Sequence, residues 1–489
     1  MSLHNLPIWK SLMQDIPSRF DSMLRKLREK GYRITPQRQV PSRSEGRKPI
    51  NKKLWYFGIF LLLVVVVWVV PGDGLAAPKA VETKHEPAAN SILIEKLGKS
   101  IFFDKNLSVN NNQSCAACHA PSVGFTGPDP SINALGGIYM GSVDGLFANR
   151  KPPSAAYGGS SPVLHKQGDG TWCGGMFWDG RATGEKLADP LAEQAQAPFL
   201  NPPEQALPNS AVLVERVCKA GYAGLFRTVW GKGACRDVNK AYECIGRSVA
   251  AYERSKAVNP FSSKYDFFLK GKAALTPEEA KGLDLFNEKD KGKCTKCHPS
   301  AMDLRKRGPI VFTDFTYDNL GFPKNPLNPF SYELGLNPSG VHWIDLGLGG
   351  FLNSATEYGK HKVPTLRNVD KRPYPAFVKA YGHNGYFKSL ESIVHFYNTR
   401  DVLPVCSEPL AAGNMPGDNC WPAPEFPENV NKKELGNLGL SREEEACIVA
   451  FLKTLSDGWK PGAAKTHATK HAKASGDSML RMKSTGDYR

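Results

Sequence analysis

Apolar residues recur at helical spacing in only a few short stretches of this chain, and long segments rich in Gly, Pro and Ser separate them. Ser91–Phe102, Pro190–Gln196, Ala211–Cys218 and Val238–Ser255 follow a helical period and predict helices. Thr276-Pro277-Glu278-Glu279 is a further helix start, with Thr as N-cap, Pro at the first helical position and Glu279 closing a capping box. Behind it come Leu283 and Phe286. Ser389 caps a helix reaching about Asn398. Ser441 with Glu444 caps another, whose stripe is Cys447, Ile448, Phe451, Leu452 and Leu455. Residues 120–175 and 308–366 hold no sustained period, yet large apolar residues are scattered through them, so they read as ordered loop. Alternation of period two, which strands need, is scarce. The predicted fold class is therefore all-α, with long loops.

One apolar run differs in kind. Leu54–Val70 is seventeen residues without a charge, at the short end for a membrane-spanning helix. The net charge is +16, and residues 1–53 hold 13 Lys/Arg against 4 Asp/Glu. A basic tail alone would suggest nucleic acid; placed just before an apolar run, it reads as the cytoplasmic flank of a membrane anchor, with no nucleic-acid role. The expectation is a single transmembrane helix in the inner membrane with the bulk of the chain on the periplasmic side. A retained anchor is favoured over cleavage near Ala76.

The chemistry sits in two short motifs, Cys115-Ala-Ala-Cys118-His119 and Cys294-Thr-Lys-Cys297-His298. C-x-x-C-H is the attachment pattern of c-type haem. Its two thiols bond to the vinyl groups at one edge of the macrocycle, and the adjacent His ligates the iron. A thioredoxin-like pair or half a zinc site would use the cysteines but leave both histidines unexplained. Two covalent haems are expected, on Cys115 and Cys118 and on Cys294 and Cys297, with His119 and His298 as axial ligands. Seven cysteines remain. Cys406 with Cys420, flanking a Pro/Gly-rich loop, is the leading disulfide candidate, and Cys218 with Cys235 the second. Cys447, on an amphipathic stripe, is expected to be a buried free thiol.

The predicted organisation is a basic tail at 1–53, an anchor at 54–70 and a linker at 71–89. Two tandem cytochrome c-like domains follow at 90–265 and 266–462, then a basic tail expected to be disordered at 463–489.

Two further stretches carry a resemblance. Phe177-Trp-Asp-Gly-Arg181 is followed by Gln194 and then by Pro198–Glu204. Val363-Pro-Thr-Leu-Arg-Asn-Val369 is followed by His383-Asn-Gly385, Leu390 and Tyr397. With a haem motif before each, residues 90–460 resemble the bacterial di-haem cytochrome c peroxidase family, which includes MauG. The resemblance implies reduction of hydrogen peroxide at the N-terminal haem. The C-terminal haem then relays electrons from a small periplasmic donor (a c-type cytochrome or cupredoxin) or stores a high-valent oxidising equivalent. It makes Glu204 the acid-base residue of the peroxide pocket, Gln194 its partner and Trp178 the residue between the haems. Peroxide-dependent oxidation of a protein side chain is the alternative within the family. A non-catalytic di-haem electron carrier is the alternative outside it, and a homodimer stays open.

Three features depart from the peroxidase pattern. Many members carry a second His, about sixteen residues after the first haem motif, that blocks the N-terminal iron. Here Leu135-Gly-Gly-Ile-Tyr139 occupies that region and no His lies between His119 and His165. The expected N-terminal site is open, with Tyr139, Met140 and His165 as the remaining candidate ligands. The interdomain calcium ion of the family is in doubt, because Lys151 stands where an Asn ligand is expected and Ala380 where a Pro carbonyl is usual. Fourteen residues after His383, where peroxidases place Met and MauG a Tyr, stands Tyr397. It is the expected sixth ligand of the second iron, with Met415 as runner-up.

Overall fold

Helix α1, Ala88–Phe102, and helix α5, Val238–Arg254, cross where Gly98 meets Ser248, and a Cβ at Gly98 would lie 1.8 Å from the Ser248 carbonyl oxygen. In the second half, α6 (Pro277–Asn287) and α8 (Arg442–Lys453) cross at Gly282, where a Cβ would lie 1.9 Å from the Cys447 carbonyl oxygen. In each half the helix leading into the haem motif thus packs backbone to backbone on the last helix of that half. Between them come α2 (Cys115–Cys118), α3 (Pro190–Leu200), α4 (Ser210–Lys219) and, after α6, α7 (Leu390–Thr399). The capping boxes expected at Thr276 and Ser441 are both closed, each placing a Glu on the N-cap backbone.

The computed structural model describes residues 88–300, 309–407 and 413–461, which belong to one compact unit. Among the described residues the two largest hydrophobic cores lie one in each half. One gathers Leu97, Ile101, Phe102, Phe199, Ile245 and Val249. The other gathers Phe286, Phe312, Phe387, Phe396, Ile448 and Phe451. Burial of these apolar stripes, at about 25 cal/mol per Å², is what holds helices this short. The halves are joined by polar contacts: Arg150 pairs with both Asp179 and Asp345 at 2.6 Å, and Tyr157 donates to Asp457 at 2.6 Å.

Two expectations are corrected. The fold is not all-α: among the described residues there are two small antiparallel sheets, β1 (His165–Lys166) with β2 (Trp172–Cys173), and β3 (Tyr317–Asp318) with β4 (His361–Lys362). Strands of two residues carry too little alternation to be read from a sequence. The single transmembrane helix is not supported either: among the described residues no helix is long and apolar enough to cross a membrane. The run Leu54–Val70, the basic tail and the end of the chain from residue 462 lie outside the described residues.

Both expected disulfides form, Cys218–Cys235 and Cys406–Cys420. Cys447 is free as expected but only half-buried.

Candidate functional site

The two C-x-x-C-H motifs share one backbone hydrogen bond, although the first is a short α-helix and the second a 3-10 turn. In each, the His backbone N–H donates to the carbonyl of the first Cys at 2.9 Å, closing one tight turn, and both cysteines and the His line one cavity. Each ring is then fixed through Nδ1, which lies 3.1 Å from the Phe125 carbonyl in His119 and 2.8 Å from the Phe312 carbonyl in His298. A carbonyl only accepts, so the proton sits on Nδ1 and the Nε2 lone pair is left for a metal. Burial pushes His119 down to about 4 and lowers His298 as well, which keeps both imidazoles neutral.

Each motif opens on a cavity. The first, about 150 Å³, is lined by Cys115, Cys118, His119, Trp178, Gln194 and Glu204 among others. The second, about 290 Å³, is lined by Cys294, Cys297, His298, Trp178, His383 and Tyr397 among others. Two thiols at one edge, a neutral imidazole with a free lone pair and a largely apolar wall are the donor set a c-type haem needs, so the residues present fit that group in both places. Burial pushes Cys118 and Cys294 up to about 12, away from the reactive thiolate that a redox pair requires.

Glu204 owes its position to the end of α3. Asp189 caps that helix, Pro190 opens it, and Pro198 within it can offer no N–H to continue the ladder. The chain then turns tightly, with the Glu204 N–H donating to the Asn201 carbonyl at 3.0 Å and Ser142 N–H donating to the Glu204 carbonyl at 2.6 Å. Asn201 Nδ2 donates to Glu204 Oε2 at 2.8 Å. Burial raises the pKa of the carboxyl, while the Asn201 amide and the Arg181 charge oppose the rise. Gln194 reaches the same cavity from α3.

Trp178 lines both cavities. Its Nε1 donates to the Lys151 carbonyl at 2.9 Å, and its turn is held by Asp179, which pairs with Arg150 and Arg181. Of the other candidates near the first iron site, Tyr139 is hydrogen-bonded to Asp129 and Asn133, and Met140 Sδ accepts from the Gly145 N–H. His165 is exposed on β1.

Tyr397 faces the second cavity from α7. Its neighbour His395 does not: Nδ1 meets Glu445 at 2.8 Å and Nε2 meets the Gly417 carbonyl at 2.9 Å. Met415 is 54% exposed in the Cys406–Cys420 loop and lines neither cavity. Asp345, His361 and His383 approach closely enough to suggest a metal site. The two imidazoles, however, stack face to face at 3.6 Å and 8°. In that arrangement their in-plane lone pairs cannot converge on one ion.

Sequence reasoning missed Glu253, a carboxyl 4% exposed on the wall of the first cavity whose Oε2 has no hydrogen-bond partner. Burial pushes it up to about 8. The signal was available: Glu253 stands four residues after Val249 and eight after Ile245, on the apolar stripe of α5. Asn201, inside the Pro198–Glu204 stretch, was also passed over.

A family model described as di-haem cytochrome c peroxidase matches residues 94–274. The methylamine utilization protein MauG of Paracoccus denitrificans is 33% identical over 368 residues, 74% of this chain and 88% of that protein. The cytochrome c551 peroxidase of Nitrosomonas europaea is 30% identical over 364 residues, 74% of this chain and 79% of that protein. The crystal structure of the diheme peroxidase BthA from Burkholderia thailandensis superposes with a TM-score of 0.61 at 31% identity, over 76% of this chain and 88% of that one. With matching relatives over most of its described length and a haem donor set in each half, this chain belongs to the di-haem cytochrome c peroxidase family.

Proposed function

We propose that this protein reduces hydrogen peroxide in the cavity of His119, and that the cavity of Tyr397 takes in electrons or stores an oxidising equivalent. The family makes it an oxidoreductase acting on peroxide with two c-type haems. The observation that carries the assignment of roles is that Glu204 and Gln194 face the same cavity as Cys115, Cys118 and His119. In this reading Cys115 and Cys118 would hold one haem covalently and Cys294 and Cys297 the other, and His119, His298 and Tyr397 would offer donor atoms to the iron. Haem iron, when bound, supplies the electrons that break the O–O bond. Glu204 removes a proton from one peroxide oxygen and returns it to the other, which leaves as water. Gln194 orients the peroxide beside it. Trp178, on the wall of both cavities, divides one long electron transfer into two shorter ones.

The donor in this reading is a small soluble redox protein, a c-type cytochrome or cupredoxin, in an oxidising compartment such as the periplasm. The disulfides Cys218–Cys235 and Cys406–Cys420 support that compartment. Oxidation of a protein side chain is the second reading, favoured by Tyr397 standing where a thioether would serve electron entry better.

The absence of any His between His119 and His165, together with the engaged Tyr139 and Met140, predicts an open first site. Peroxide added to the purified diferric protein should change its spectrum at once, without one-electron pre-reduction. A requirement for pre-reduction would overturn the open site.

The acid limb of the reaction should follow Glu204. A base must be deprotonated to act, and burial raises this carboxyl above its ordinary value. The rate should therefore fall as pH drops through a midpoint above the usual carboxylate range. Asn201→Ala removes a hydrogen bond to the ionised form, so it should move that midpoint higher still. A pH–rate profile of peroxide reaction in both proteins checks this, and a midpoint unmoved by Asn201→Ala would detach the limb from Glu204.

A further inference from the structure

Three lysines, Lys379 buried and Lys151 and Lys388 half-buried, lie near one another where the two halves meet, and the peroxide chemistry uses none of their ammonium groups. Lys151 Nζ donates to the Pro152 carbonyl at 2.9 Å and to Thr126 Oγ1 at 3.2 Å. Lys379 Nζ, from the second half, donates to the carbonyls of Val123, Lys371 and Asn368 at 2.9, 2.9 and 3.3 Å. Lys388 Nζ donates to the Gly385 carbonyl. Among the described residues no carboxylate forms an ion pair with any of the three. Burial lowers all of them, Lys151 to about 8 and Lys388 to about 7, and the Lys151 charge adds to the lowering of the other two.

Lys151 and Ala380 are far apart in sequence but meet in the fold. A Cβ on Gly137 would lie 2.6 Å from Ala380 Cβ and 3.7 Å from Lys151 Cγ. The Lys151 backbone N–H also donates to the His383 carbonyl at 2.8 Å, tying the first half to the second. These are the positions where the family resemblance places ligands of an interdomain calcium ion.

The donor set here does not fit that ion. Calcium takes six to eight oxygens at roughly 2.3–2.6 Å, carbonyls and amides among them, and tolerates no cation within that shell. At this junction, among the described residues, the oxygens beside Lys151 are neutral and already accept from its ammonium, whose own charge repels a divalent cation placed among them. We infer that Lys151 supplies the interdomain cation covalently: its ammonium takes the place of calcium at the junction of the two cavities, and the protein binds no divalent cation there. The side chain holds carbonyl and hydroxyl oxygens near Trp178 in place without exchange with solvent, so the geometry between the cavities is independent of calcium supply.

The test uses the full di-haem protein and does not read turnover, so it stands or falls separately from the peroxide assignment. Protein dialysed against calcium chloride and then against metal-free buffer is assayed for bound calcium, and its thermal unfolding is followed with calcium and with a chelator. The wild type should retain no stoichiometric calcium and unfold at the same temperature in both buffers. Lys151→Asn, which removes the ammonium and offers a neutral oxygen, should bind about one calcium per chain and unfold at a higher temperature when calcium is present. Lys151→Asp serves the same purpose if the amide variant does not accumulate. One calcium per chain in the wild type, or a chelator-induced fall in its unfolding temperature, would overturn the inference. So would variants that fold without acquiring any calcium response.

Discussion

Glu204→Gln should slow the reaction of the diferric protein with peroxide by about 10²–10⁴-fold, the range over which a positioned acid-base group acts. The amide is nearly isosteric and its oxygen still accepts from Asn201, which donates to Glu204 Oε2 at 2.8 Å. The turn after α3 rests on backbone hydrogen bonds that the change leaves alone. What is lost is the ability to take up a proton. Stopped-flow mixing with peroxide measures the rate, and a pyridine haemochrome assay on the same sample should still return two haems per chain. An unchanged rate would remove Glu204 from the reaction. Gln194→Ala should cost less, because an orienting amide holds the substrate without moving its proton.

The second large effect concerns Tyr397. Replacing it with Met should raise the reduction potential of the C-terminal haem by on the order of 100 mV or more, since axial ligation is among the strongest levers on haem potential and a thioether favours the reduced metal. Tyr397 faces the second cavity, whereas Met415 is exposed in a disulfide loop and His395 is held on both ring nitrogens. The variant should accept electrons from a soluble donor more readily and hold an oxidising equivalent less well. Spectroelectrochemistry gives the potential, and near-infrared absorption reports methionine sulfur on ferric iron. Methionine-sulfur absorption in the wild type, removed by Met415→Ala and kept in Tyr397→Phe, would show the tyrosine assignment to be wrong.

The local features were legible in the chain itself. Cys115–His119 and Cys294–His298 announce their chemistry because the spacing is the chemistry, and the capping boxes at Thr276 and Ser441 are written within four residues. Helix α3 ran on to Leu200, past its expected end at Gln196, because Pro198 at its last turn costs only one hydrogen bond. The small sheets were not legible: β3 and β4 pair residues more than forty positions apart, and two-residue strands leave no pattern to find.

By itself, then, the sequence determined where the two C-x-x-C-H motifs stand, which helices precede them and which residue types are available near them. All of these are encoded over a few neighbouring residues. Only the tertiary structure decided which of those residues share a cavity. It brought Glu204 to the His119 cavity, put Trp178 on the wall of both cavities, turned Tyr397 inward and left Met415 outside. It also gathered Lys151, Lys379 and Lys388 at one junction where, among the described residues, no carboxylate forms an ion pair with them. Burial and electrostatics depend on what the rest of the chain brings alongside a residue, and residues more than two hundred positions apart meet only when both cores have packed.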